Sequence, residues 1–261
     1  MNLSPGPSRL THFRKLQQKK YRDEFAEFVV ENPLIVRDAF DLNVIPREVI
    51  VTKRFLESHE LLITTIQQKI SAHVFAVDDG ELLKLSSLEH PQGILAIYKK
   101  QQDLVDESLP IIFLNGVSDP SNVGAIMRSA AAFGVSSYIT DDGSADPYNP
   151  KAVSAAKEAI FLLQISRKPL SFLKTISGWM PIFALEAHDG VSLDAFQWQQ
   201  PFCLLIGSEA HGITHDAREF IDSSITIATH SQTIESLNVA AAAAIALHSS
   251  FFAIKNSVNQ E

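Results

Sequence analysis

A chain of 261 residues, 46% of them hydrophobic, suits one large or two smaller domains and can bury a sizeable core, which excludes wholesale disorder. The net charge of −8 lies entirely in residues 104–261 (8 basic, 16 acidic side chains), while residues 1–103 balance at 14 and 14. No run of about 18 apolar residues marks a membrane span, MNLSPGPSRL lacks the apolar core of a signal peptide, and the lone Cys203 cannot make an internal disulfide, so a reducing, cytoplasmic setting is expected.

In chain order, SRLTHFRKLQQKKYR (8–22) spaces Leu10, Phe13 and Leu16 three residues apart, which predicts a short amphipathic helix. It carries six basic side chains (Arg9, Arg14, Lys15, Lys19, Lys20 and Arg22) before the first acidic one, a cluster able to contact phosphates. On charge alone a solvated helix face explains the cluster equally well. FAEFVV (25–30) and REVIVT (47–52) read as strands with the helix PLIVRDAF between them. FLESHELLITTIQQKI reads as one helix, HVFAV as a strand, DDGELLKLS as a helix and GILAIY (93–98) as a last strand. These elements make a compact α/β module over residues 1–103. KKQQDLVDESLP (99–110) is polar and closes on Pro110, as a linker does.

The second domain, 104–261, opens on IIFLN, a continuous apolar run of the kind found in buried parallel strands. SYIT, PIFAL, FCLLIG and SITIA repeat the pattern with helical segments between them, which predicts a parallel sheet covered on both faces. DDGSADPYNPK (141–151) reads as a polar loop and AAAAIALHSSFFAI (241–254) as a C-terminal helix.

Three strand-to-loop junctions concentrate the unusual residues, where ligands of open α/β sheets bind. After IIFLN, the loop GVSDPSN leads into the helix VGAIMRSAAAF, closed by Gly134. Arg128 lies just beside that helix's apolar face. An Arg snorkelling to water is the competing explanation. LLIGSEAHGI (204–213) places Gly207, Glu209 and Gly212 after a strand, but lacks the full dinucleotide fingerprint and also fits a tight turn. IESLNVAAAAA (234–244) gathers Glu235, Ser236 and Asn238 at the start of an Ala helix, with Ser236 the expected cap. The histidines lack zinc-ligand spacing, so no metal is expected, and neither a nucleophile elbow nor a Walker-type phosphate loop is present.

In that order, DPSNVGAIMRSAAAFGV, LLIGSEAHGI and IESLNVAAAAA resemble the three motifs of the SpoU/TrmH-type 2′-O-ribose RNA methyltransferases of the SPOUT superfamily. KKYRDEFAEFVVENPLIVRDAF and HPQGILAIY resemble that family's N-terminal substrate-binding domain, so the likeness covers nearly the whole chain. It implies a small α/β RNA-binding domain followed by a parallel-sheet domain with a deep trefoil knot. It further implies S-adenosylmethionine as methyl donor and a homodimer formed through the catalytic domain. The implied substrate is structured RNA, ribosomal rather than transfer RNA by analogy with relatives that carry such a domain.

Matched position by position, Asn122, Arg128, Glu209, Ser236 and Asn238 carry the catalytic motifs, while Leu205, Gly207, Ile227 and Leu237 fall where the family grips the cofactor, largely through backbone. A guanidinium stays protonated in proteins, and a neighbouring phosphate favours its charge further. Arg128 is therefore expected to clamp phosphate and stabilise the developing alkoxide, the proton leaving through phosphate, Ser236 or water. Asn122 and Asn238 are expected to orient the ribose and the Arg. The chain departs from the family before Glu235, where IATHSQTIESLN lacks the usual Ile-Pro-Met and Gly, and at SAAKEAIF, where a Ser-x-Gly-Ala-like turn is usual. A dimeric RNA binder without catalysis has no need of the five matched residues together, and a nicotinamide dehydrogenase would need the missing fingerprint.

Overall fold

The computed structural model of the chain describes residues 4–70, 74–230 and 236–258. Up to residue 101 the elements are α1 (Pro7–Lys15), α2 (Lys19–Phe25), β1 (Glu27–Val30), α3 (Pro33–Asp41), β2 (Glu48–Thr52), α4 (Lys53–Ser58), α5 (Glu60–Ile70), β3 (Val74–Val77), α6 (Asp79–Leu85) and β4 (Ile94–Lys99). There follow β5 (Ile111–Asn115), α7 (Pro120–Ala132), β6 (Ser137–Thr140), α8 (Pro150–Ala156), α9 (Ala159–Leu162), β7 (Gln164–Arg167), α10 (Phe172–Ile176), β8 (Ile182–Glu186), β9 (Val191–Ser192), β10 (Cys203–Gly207), β11 (Ser223–Thr226) and α11 (Val239–Val258). None of the described helices is long and apolar enough to cross a membrane.

Met1–Gln101 and Tyr148–Phe161 form one unit. Its sheet runs β1-β4-β2-β3, with β4 antiparallel to both neighbours and β2 parallel to β3. Phe13 of α1, Leu16 just beyond it, and Leu82 and Leu85 of α6 pack on Val29, Ile50, Phe75, Leu95 and Ile97 of the sheet. Burial of each such side chain contributes roughly 1.5–3 kcal/mol.

Several expectations are corrected here. The helix expected over 8–22 is two helices, because the chain turns after Lys15. The Arg22 guanidinium then donates to the carbonyls of Leu16 and Gln17 at 3.0 and 2.9 Å, groups that the end of α1 leaves unsatisfied. At 2% exposure Arg22 is a structural cap and does not face phosphate. The first strand starts at Glu27 rather than 25, since Ala26 adopts a left-handed conformation (φ 51°) that ends α2. The helix expected over 55–70 breaks at His59.

Residues 148–161, read as part of the second domain, associate with the first unit. The Tyr148 ring lies 4.9 Å from Phe28 and the Phe161 ring 4.8 Å from Tyr98, aromatic pairs that bury large area.

Gln102–Pro147 and Leu162–Glu261 form the other unit. Its seven strands are all parallel, in the order β7-β6-β5-β10-β8-β11-β9. Five of them were legible as apolar runs. β7 (QISR) and the two-residue β9 were missed because they lack such a run. The chain leaves β5 towards β6 and β7, crosses to β8, and returns to insert β10 between β5 and β8. The carboxyl ends of β5, β10, β8 and β11 consequently stand side by side, at the reversal of strand order where α/β sheets bind ligands. α7 and α11 pack against each other.

Candidate active site

Two helix starts and one loop build the site. Asp119 caps α7 by accepting from the Ser121 amide at 2.8 Å, with Pro120 at the first helical position. That start buries Asn122, whose Nδ2 donates to Glu209 Oε1 at 3.1 Å. Asn238 Nδ2 donates to the same oxygen at 2.7 Å and to Asn122 Oδ1 at 3.1 Å. Asn238 Oδ1 accepts from the amides of Ala240 and Ala241 at 3.0 and 3.2 Å, which makes Asn238, and not Ser236, the cap of α11. Glu209 Oε1 also accepts from the Val239 amide at 3.3 Å, so a carboxylate sits at the positive end of α11. Three residues from three distant stretches thus share one hydrogen-bonded cluster.

Glu209 also lines a cavity of about 1000 Å³ formed by the ends of β8, β10 and β11 and the start of α11. Gly207, Ile227, Ser236 and Leu237 line it too. Leu205 does not: strand alternation sends its side chain into the core with Phe113 and Ala184, where it is fully buried. Gly207 is required by its own loop. Ser208 and Gly212 exchange backbone hydrogen bonds at 3.0 and 2.9 Å, folding the loop back so that a Cβ on Gly207 would lie 2.3 Å from the Gly212 carbonyl carbon. Leu185, Glu186, Ala187 and His188 on the cavity wall were missed by sequence reasoning. The carboxyl end of the strand PIFAL was the signal that could have found them. Of the departure before Glu235, Ala228 and Thr229, which stand in place of Pro and Met, line the cavity, and the rest of that stretch at 231–235 lies outside the described residues.

A second network fixes the loops beneath. Asp141 accepts from Asn115 Nδ2 at 2.9 Å, the Gly116 amide at 3.1 Å and the Ser144 hydroxyl at 2.7 Å, while Asn115 Oδ1 accepts from the Thr214 amide at 2.8 Å. The loops after β5, β6 and β10 are thereby tied together. Tyr138 donates to the Val123 carbonyl at 2.6 Å within α7, and its complete burial pushes the phenol pKa well up.

Arg128 points elsewhere. It is exposed, six residues after Asn122 and hence about 240° around the helix, and it makes no hydrogen bond or ion pair to a described residue. The sequence-nominated cations of the other unit differ in availability. Arg14 is exposed, and Lys15 and Lys20 lie 4.9 and 5.5 Å from the centre of the Tyr21 ring. Lys19 pairs with Asp23, and Arg9 pairs with Glu48 at 3.0 Å while lying over Phe75.

Residues 110–248 match the model of the SpoU rRNA Methylase family, more than half of the chain. The chain belongs to that family. Residues 8–96 match the MRM3-like substrate binding domain. The 23S rRNA (guanosine(2553)-2′-O)-methyltransferase RlmP of Bacillus subtilis is 24% identical over 238 residues, 90% of this chain and 93% of the relative. A TrmH-family protein of Porphyromonas gingivalis superposes with a TM-score of 0.81 at 27% identity, covering 95% of this chain and 98% of that one. The SpoU methyltransferase AviRb of Streptomyces viridochromogenes, solved with AdoMet, has the same fold, with a TM-score of 0.82 at 23% identity and the same coverage.

Proposed function

We propose that the chain transfers a methyl group from S-adenosylmethionine to a ribose 2′-hydroxyl of ribosomal RNA. The observation that carries this is the junction of the Asn122–Glu209–Asn238 cluster with the cavity, through the one residue that belongs to both. A reacting hydroxyl held at the cluster lies beside whatever fills the cavity. The cavity fits the donor: it is large enough, apolar at Leu185, Ile206 and Leu237, lined by backbone of the Gly207–Gly212 loop, and bordered by the Glu186 carboxylate. When bound, the donor supplies a methyl activated on a sulfonium.

The residues of the chain supply alignment, which alone can account for much of a rate enhancement. Glu209 and Asn238, the latter fixed by the α11 start, hold the side-chain amide of Asn122, whose remaining N–H then orients a ribose without reorganisation. Arg128 clamps an RNA phosphate and stabilises the developing alkoxide, as a permanent cation. Since it faces away from the cluster of its own chain, it serves the site of a second copy. The exposed side chains of Ile245 (42%) and Phe252 (46%) on α11, together with His248, offer that copy an apolar surface. Arg14, Lys15 and Lys20 meet the RNA backbone.

The test is to incubate the purified chain with S-adenosylmethionine and ribosomal RNA lacking its own methylation, then map alkali-resistant linkages. One new resistant position that Asn122→Ala fails to produce is expected. Equal resistance with and without the protein would refute the reading.

A further inference from the structure

Glu186 closes β8 on the wall of the cavity. It pairs with Thr226 of β11 on one side and, one residue beyond the Leu185–Ile206 pairing, stands beside Gly207 of β10 on the other. Its carboxylate is only 15% exposed and reaches towards the loop after β10, where a Cβ on Gly212 would lie 3.8 Å from Oε2. Arg218 Nη1 approaches Oε1 to 2.8 Å, yet off the direction in which its N–H could donate. The oxygen is therefore charge-paired but accepts no hydrogen bond, although it is buried. Oε1 is thereby shut off beside Arg218, and the oxygen that a ligand donor in the cavity can reach is Oε2, which accepts from no described residue and faces the Gly212 loop.

Three other side-chain acceptors of the cavity wall are already used. Thr226 Oγ1 accepts from the Gly190 amide at 2.9 Å, Ser208 Oγ from the His211 amide at 3.1 Å, and Glu209 Oε1 from three donors. The charge on Glu186 is compensated by Arg218, so what the site lacks is donors rather than positive charge. A neutral vicinal diol supplies two such donors. An ammonium or sulfonium would instead bring a second cation next to Arg218.

Resting on the cofactor reading above, we propose that Glu186, held by Arg218, is the residue that accepts the ribose 2′- and 3′-hydroxyls of the methyl donor and so selects an intact nucleoside.

The experiment is calorimetric titration of the full-length protein, without turnover, using S-adenosylhomocysteine, its 2′-deoxy and 3′-deoxy analogues, and S-adenosylmethionine. Wild type, Glu186→Ala and Glu186→Gln are compared, with thermal melts to establish folding. Charge-assisted hydrogen bonds predict a loss of at least about tenfold in affinity for S-adenosylhomocysteine in Glu186→Ala. Glu186→Gln, which keeps one acceptor oxygen, should fall between. The decisive sign is non-additivity: at least one deoxy analogue should bind wild type more weakly than the parent, and bind Glu186→Ala no more weakly than the parent does. An equal deoxy penalty in both proteins, or a loss confined to S-adenosylmethionine as charge recognition would give, overturns the inference and leaves the cofactor reading standing. Unfolding of both variants would assign Glu186 to the scaffold and equally overturn it. A wild type that binds none of the four ligands overturns the cofactor reading itself.

Discussion

At the residue scale, Arg128 is the sharpest case. An Arg that only covers apolar surface tolerates Lys, whose stem is as apolar. One that grips a phosphate through a planar fork does not, because Lys offers a single point charge. Arg128→Lys should fold and bind S-adenosylmethionine normally, yet lose at least about a hundredfold in single-turnover methyl transfer, the cost of removing a preorganised electrostatic stabiliser. Near wild-type turnover would return Arg128 to the wet face of an ordinary helix. Asn238 has two separable roles, as cap of α11 and as partner of Glu209. Asn238→Ala should destabilise by about 1 kcal/mol through the lost cap. Asn238→Ser keeps a capping oxygen but loses the amide N–H groups that hold Glu209 and Asn122, so its melting temperature should largely recover while methyl transfer does not. Parallel recovery of both would reduce Asn238 to a cap.

At the scale of elements, the turn between α8 and α9 stores strain. Lys157 there adopts φ 56°, ψ −137°, a region that L side chains rarely enter. Glycine, which has no Cβ, enters that region of backbone space freely. Lys157→Gly should therefore stabilise the protein by about 1 kcal/mol, visible as a higher melting temperature. A fall in stability would mean that contacts of the Lys157 side chain outweigh the strain. α1 and α2 show the opposite economy: where the chain turns after Lys15, buried Arg22 satisfies the freed carbonyls. A cation that looks available in a basic run is consumed by the fold.

At the scale of the whole molecule, two properties follow from how the active-site residues are distributed. If Arg128 serves a second copy, mixed dimers of Arg128→Ala and Asn122→Ala subunits contain one intact site each. Mixing the two inactive proteins should restore about a quarter of wild-type activity, given a two-fold symmetric dimer and random exchange. No recovery, with exchange demonstrated by size-exclusion chromatography of tagged subunits, would place Arg128 at its own chain's site. RNA affinity should depend on salt through Arg14, Lys15 and Lys20, each phosphate contact adding about 0.7–0.9 to the slope of log K against log salt. Changing the three to Gln in the full-length chain should lower that slope by about two and leave S-adenosylhomocysteine binding intact. An unchanged slope would assign these cations to a solvated face. Full length matters, because deleting the N-terminal residues would also strip Tyr148 and Phe161 of their aromatic partners.

Local chemistry in the sequence determined a good deal. Apolar runs specified five of the seven strands of the parallel sheet, the stretch VGAIMRSAAAF found α7 except for its first three residues, Pro120–Asn122, which had read as loop, and the three motifs carried the family. These signals are short-range, since hydrophobic periodicity and capping are set within a few residues. Tertiary structure alone decided the rest. The insertion of β10 between β5 and β8 is a pairing over some ninety residues that no local pattern encodes, and it brings Glu209 to Asn122. The same arrangement sends Leu205 into the core and sets Glu186 on the cavity wall, and in the first unit long-range ring contacts seat Tyr148 and Phe161 against β1 and β4. In each case the deciding quantity is which groups are left without partners once distant strands are joined, and a buried donor or acceptor finds its partner in space rather than along the chain.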